Sequence, residues 1–313
     1  MKSSRYLLDF IPKFTLRLCR SGFIFIALIL AGCSSVDFQS LPPEAQFTNT
    51  AIILPTIIPS ASPSPYQPEL PTATATMPAC VETQGAVMEE NIPSAVLGQS
   101  IRTQIYLPPC YDPEYEDGYP SIIMLHGQNG VESQWIELGM TAKADMLISN
   151  KEIPPVLIIF PFEKDYLKDA YLSRYPDAIV QDLVPGISQL FNLKDGRKYH
   201  AIGGLSRGAN WAVRIGLTDW QVFGRIGAHS FTTFQGDINL LPAWLEELPL
   251  DQVPEFSFDI GEKDIYFDYS DRFVRRLQSA GVPLIYEINA GGHNNNYWSS
   301  HVEEYLRWYT EDW

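Results

Sequence analysis

The chain has 313 residues, 45% of them hydrophobic, enough for one sizeable core plus tails. Its formal net charge of −15 excludes a basic face for nucleic acid. Four cysteines and five histidines, widely scattered, exclude a zinc cluster.

The N-terminus reads as an export signal. Lys2, Arg5, Lys13, Arg17 and Arg20 precede an apolar run over residues 22–31, which is short for a bilayer span. The run closes on Leu30-Ala31-Gly32-Cys33, which resembles the lipobox of bacterial lipoproteins. That likeness implies a signal peptide over residues 1–32, cleavage before Cys33 and acylation of its thiol. The lipid would hold an exported, extracytoplasmic body on a bacterial membrane without a spanning helix. An ordinary secretory signal and an uncleaved anchor are the alternatives. Beyond residue 32, 17 Lys and Arg stand against 36 Asp and Glu, a balance that repels polyanions.

Residues 33–79 are rich in Pro, Ser, Thr and Ala. Pro55, Pro59, Pro63, Pro65, Pro68 and Pro71 fit neither a packed helix nor a central strand. The segment reads as an extended spacer ahead of a domain over residues 80–313. Cys80 and Cys110 fall in that exported domain, where a disulfide between them is expected. Two buried free thiols are the alternative.

From there the pattern is α/β. Strands are expected at 100–107, 121–125, 156–160, 199–203, 225–229, 256–260 and 284–288. Helices are expected at 142–148, 178–191 with a kink at Pro185, 209–217, 270–279 and 298–308. Continuous apolar strands alternating with helices argue for a mainly parallel sheet covered on both faces. Its functional loops should lie at the carboxyl ends of the strands.

One stretch organises the rest. Gly204-Leu205-Ser206-Arg207-Gly208 is a G-x-S-x-G motif between a strand-like run and a helix-like run, the context of a nucleophile elbow. Serine needs a base, and the base needs an orienting carboxylate. With the order serine, acid, histidine, the base falls after the last strand. There Gly291-Gly292-His293 frees the backbone to aim a ring. His301 is the runner-up, inside the closing helix. His200 reads as structural, His229 as a cleft-lining residue, and His126 as a loop-fixing residue. The acid comes from Asp259-Ile260-Gly261-Glu262-Lys263-Asp264, with Asp264 chosen first, then Glu262, then Asp268. Two N–H donors should stabilise the developing oxyanion: the backbone of Arg207 and that of Gln128, in the loop after His126-Gly127.

These residues resemble the esterase D-like branch of the α/β-hydrolase fold, which includes feruloyl and acetyl xylan esterases and mycolyltransferase-type proteins. The likeness runs from about Ile101 to Trp308. It rests on Tyr106-Leu107-Pro108-Pro109, Leu125-His126-Gly127, the serine motif, Gly261-Glu262-Lys263-Asp264, and Gly291-Gly292-His293 with Trp298. It implies a three-layer sandwich in which Ser206 is the nucleophile, Asp264 the acid and His293 the base. It also implies an acyl-enzyme route without metal or organic cofactor, on small-molecule or carbohydrate esters. An acyltransferase and a non-catalytic binding protein on the same fold are the rivals. Two residues depart from the family pattern: Arg207, where Met is common, and Ala209, where a second Gly is common. Arg207 either reaches the cleft, favouring acidic or hydroxyl-rich substrates, or points into solvent. The aromatics Tyr266, Phe267, Tyr297 and Trp298 either stack on substrate or belong to the core.

Overall fold

The computed structural model describes residues 81–313. The export signal, Cys33, the spacer and Cys80 lie outside the described residues. Cys110 is disulfide-bonded.

Among the described residues, eight strands form one sheet: β1 (Ala86–Ile92), β2 (Ile101–Leu107), β3 (Ser121–Leu125), β4 (Leu157–Pro161), β5 (His200–Leu205), β6 (Arg225–His229), β7 (Glu255–Gly261) and β8 (Leu284–Asn289). Their spatial order is β1-β2-β4-β3-β5-β6-β7-β8. Only β2 runs against its neighbours, pairing antiparallel with both β1 and β4. The six strands from β4 to β8 are parallel, as the unbroken apolar runs imply.

Those runs are apolar because both faces of the sheet are covered. In β3, Ile123 and Leu125 join one hydrophobic cluster, while Ile122 and Met124 join the other. The first cluster is filled by α3 (Tyr175–Ala178), α4 (Val184–Leu190), α5 (Arg207–Thr218), α6 (Asp237–Glu247) and α7 (Phe267–Ser279). The second is filled by α1 (Gln134–Glu137), α2 (Met140–Ser149) and α8 (Asn295–Thr310). This is the α/β-hydrolase sandwich expected from the sequence. Among the described residues no helix is long and apolar enough to cross a membrane.

The expected helix over 178–191 is real but interrupted. Residues Ile179–Leu183 form a π-helical turn between α3 and α4, and Pro185 sits in the first turn of α4. Proline lacks an N–H and clashes with the carbonyl four residues back, and the widened turn absorbs both. β1, α1 and α6 were not foreseen. β1 is a polar edge strand without strong alternation, and α6 carries Pro242 in its interior.

The strand ends place the chemistry. Leu205 pairs with His229, and His229 with Asp259, so β5, β6 and β7 end level beneath one cleft. Gly261 pairs with Asn289, which brings the loops after β7 and β8 side by side.

Candidate active site

Ser206 stands between β5 and α5 with φ 53° and ψ −114°, a left-handed conformation costly for a residue with a Cβ. The sharp turn presses α5 against the loop after β3. A Cβ on Gly208 would lie 2.7 Å from the carbonyl oxygen of His126, so only glycine fits there. The Ser206 N–H donates to the His229 carbonyl at 2.9 Å. Ten of the twelve residues of α5 are buried, so the elbow rests on a fixed base.

The structure brings three of the sequence candidates into one hydrogen-bonded chain. Ser206 Oγ lies 2.9 Å from His293 Nε2, and His293 Nδ1 lies 2.8 Å from Asp264 Oδ2. A carboxylate only accepts, so His293 Nδ1–H donates and Nε2 is left to accept from the serine hydroxyl. Asp264 is buried, and its other oxygen accepts from the Tyr266 N–H at 2.9 Å. The Lys263 N–H donates to the Gly291 carbonyl and the Glu262 N–H to that of Asn289, both at 2.8 Å, which locks the acid loop to the histidine loop. Gly291 takes φ 140°, and a Cβ there would meet the Tyr297 ring. Tyr266 and Trp298 flank the His293 ring edge-on, at 4.9 and 5.1 Å between centroids.

The other candidates lie elsewhere. Glu262 is half exposed beside Lys263, and Asp268 is exposed on α7. His301, on α8, is bonded to the Tyr297 carbonyl, and His200 to Ser121 Oγ. His229 does not line the cleft. It is buried under the elbow, with Nδ1 on Asp259 at 2.5 Å and Nε2 on the Tyr309 hydroxyl at 2.9 Å. Tyr297 and Trp298 are core: Tyr297 donates to Asp259 Oδ2 at 2.8 Å, and Trp298 Nε1 to Ser230 Oγ at 2.9 Å.

Arg207 does not point into solvent, and although it borders the cleft its charge is held by a partner. Its side chain is buried and binds Glu163 through two hydrogen bonds, Nε to Oε2 at 2.8 Å and Nη2 to Oε1 at 2.7 Å. Trp211 Nε1 donates to the same carboxylate at 2.9 Å. The Glu163 N–H in turn donates to His126 Nε2 at 2.9 Å, while His126 Nδ1–H donates to the Gly127 carbonyl at 2.7 Å. Burial holds His126 below the usual histidine range, so the ring is neutral. The network ties the loop after β3, the end of β4 and the start of α5 into one unit.

Ser206 opens into a cleft of about 550 Å³. Gln128 and Arg207 line it beside the serine. The far wall is Thr232, Thr233 and Phe234, in the loop after β6. Asn210 pins that wall: its Oδ1 accepts from the N–H groups of Thr232 and Thr233, both at 2.9 Å. The outer rim is the start of α7, with Tyr266, Tyr269 and Arg272. Glu163, Asn210, Phe234, Tyr269 and Arg272 were missed in the sequence. Glu163 had a signal: it stands just past an apolar strand, at the carboxyl edge where sites form.

The family model Esterase ("Putative esterase") matches residues 94–309. The chain belongs to this esterase family. It is accordingly a carboxylic ester hydrolase. A ferulic acid esterase matches with a TM-score of 0.63 at 22% identity, over 72% of this chain and 98% of that one. The S-formylglutathione hydrolase of Staphylococcus aureus matches with 0.63 at 20% identity, over 73% and 97%. A feruloyl esterase module from Clostridium thermocellum, complexed with sinapinate, matches with 0.60 at 13% identity, over 74% and 89%. At these identities the likeness is one of fold.

Proposed function

We propose that this esterase works through a serine acyl-enzyme. The observation that carries the reading is the unbroken chain Ser206–His293–Asp264, at 2.9 and 2.8 Å. Ser206 Oγ attacks the ester carbonyl carbon as His293 Nε2 takes the hydroxyl proton. The carbonyl oxygen becomes an oxyanion, stabilised by the backbone N–H groups of Arg207 and Gln128. Arg207 is the first residue of α5, where an N–H has no partner within its own helix. The carbonyl–alkoxy bond then breaks, and His293 Nε2–H protonates the departing alcohol. Water, deprotonated by the same nitrogen, attacks the acyl carbon; the acid leaves and Ser206 recovers its proton. Asp264 stays ionised and holds the ring, stabilising the imidazolium of each step.

Acylated carbohydrates are the substrate class of this reading, supported by the fold shared with ferulic acid esterases. The reading also includes export and lipidation at Cys33, supported by the Leu30-Ala31-Gly32-Cys33 sequence. A disulfide between Cys80 and Cys110 belongs to it as well, supported by the bonded state of Cys110.

A fluorophosphonate probe tests the core. Wild-type protein should be labelled and should hydrolyse 4-nitrophenyl esters, whereas Ser206→Ala should do neither. Hydrolysis that survives in a folded Ser206→Ala would overturn the mechanism. Cys33→Ala should release the protein from the membrane fraction; retention there would overturn the anchor.

A further inference from the structure

The chain is strongly acidic, yet no Asp or Glu lines the cleft that holds Ser206. The nearby charges mostly cancel. Arg207 is neutralised by Glu163. Arg214, on the same helix, pairs with Asp237 just past the cleft wall. Asp264 is committed to His293. One charge on the lining is left over. Arg272, on the exposed face of α7, makes no ion pair or hydrogen bond among the described residues. No carboxylate on the helix contacts it: Asp271 is bound to Arg275, and Asp268, one turn earlier, forms no ion pair with it.

A guanidinium without an ion-pair partner, on a lining that carries no carboxylate, offers an attachment point for an anionic substrate group. Its planar fork matches a carboxylate through two parallel hydrogen bonds. Gln235, Thr233 and Tyr269 share the lining and add neutral hydrogen-bonding groups.

We propose that the cleft selects esters carrying a carboxylate, which Arg272 binds at the mouth while the ester carbonyl sits at Ser206. This rests on the serine-esterase reading above. The carboxylate belongs to either half of the ester, as in a dicarboxylic half-ester or an acylated uronic acid, and the chemistry at Arg272 is the same.

Two matched pairs of substrates separate these sources. Mono(4-nitrophenyl) adipate against 4-nitrophenyl hexanoate puts the charge on the acyl side. 4-Acetoxybenzoate against phenyl acetate puts it on the alcohol side. The readout is the ratio of kcat/KM, charged over neutral, for the full chain at low ionic strength. In at least one pair, Arg272→Gln should lower that ratio by about three- to five-fold, as expected for an exposed ion pair. Added salt should lower the wild-type ratio in the same direction. Arg275→Gln, an equal charge change on the same helix, should leave it in place. A ratio indifferent to Arg272→Gln in both pairs would overturn the proposal while leaving the esterase intact. Calorimetry with Ser206→Ala separates the two readings further. 4-Acetoxybenzoate or monomethyl adipate should bind it, and less so when Arg272→Gln is added. Such binding in a wild type that hydrolyses no ester would sustain the carboxylate site and sink the serine mechanism.

Discussion

Among the described residues, two histidine–aspartate pairs lie within a few residues of the same strand ends. His293 and Asp264 lie on loops, 2.8 Å apart, with the second ring nitrogen aimed at Ser206. His229 and Asp259 lie on adjacent strands, 2.5 Å apart, with the second ring nitrogen on the Tyr309 hydroxyl. The outer pair meets Ser206, which lines the cleft. The inner pair is sealed: Tyr305 stacks on the His229 ring at 3.6 Å, and Tyr297 and Tyr305 both donate to Asp259 Oδ2 at 2.8 Å. The same two residue types therefore meet a serine hydroxyl in one place and form a core network in the other. What separates them is whether a reacting atom can reach the free nitrogen.

The comparison breaks most sharply at the outer pair. His293→Ala or Ser206→Ala should lower kcat by about 10⁴- to 10⁶-fold with little change in Tm, read by 4-nitrophenyl ester hydrolysis and thermal melting. Asp264→Asn should cost about 10⁴-fold through the lost tautomer preference. The inner pair should respond the opposite way. Asp259→Ala leaves three buried donors without an acceptor and should cost about 3–5 kcal/mol of folding stability in urea melts. Whatever Asp259→Ala protein folds should keep its kcat. Loss of kcat in a fully folded Asp259→Ala sample would erase the distinction between the pairs. Tyr309→Phe is milder, about 1–3 kcal/mol, because only His229 Nε2 is left bare.

The smallest effect sharpens the contrast through pH. Burial depresses the His126 pKa in the folded state, whereas the unfolded ring titrates near 6.5. Below that pH the unfolded chain binds a proton that the folded chain refuses, so stability falls as pH falls through about 6.5. His200 is depressed by burial in the same sense. His126→Gln keeps an acceptor for the Glu163 N–H and should flatten the fall in Tm between pH 7.5 and 5.5. An unchanged slope would show that the ring does not contribute.

Much of the fold was legible because parallel strands buried on both faces leave unbroken apolar runs, as in β3 and β4. The meeting of Ser206, Asp264 and His293 was legible because each follows a strand and the glycines around Ser206 and His293 mark the turns. The rest depends on partners far apart in the chain. Arg207 reads as a free cation until Glu163, 44 residues away, closes on it. Asp259 reads as a carboxylate within a strand and His229 as a cleft-lining residue until the β6–β7 register sets them side by side. The cleft wall at Thr232 and Phe234 comes from an irregular loop whose shape is fixed by Asn210, and no periodicity signals that.

The direction of β1 sets which end of the body the leading residues reach. Ala86 pairs with Leu107 at the end of the sheet opposite the serine, so the polypeptide enters the body through its floor. A seven-residue strand at about 3.3 Å per residue separates that entry from the level of the cleft. Residues 81–85, which lead into β1, therefore lie at that floor, and Ser206 stands at the opposite edge of the sheet.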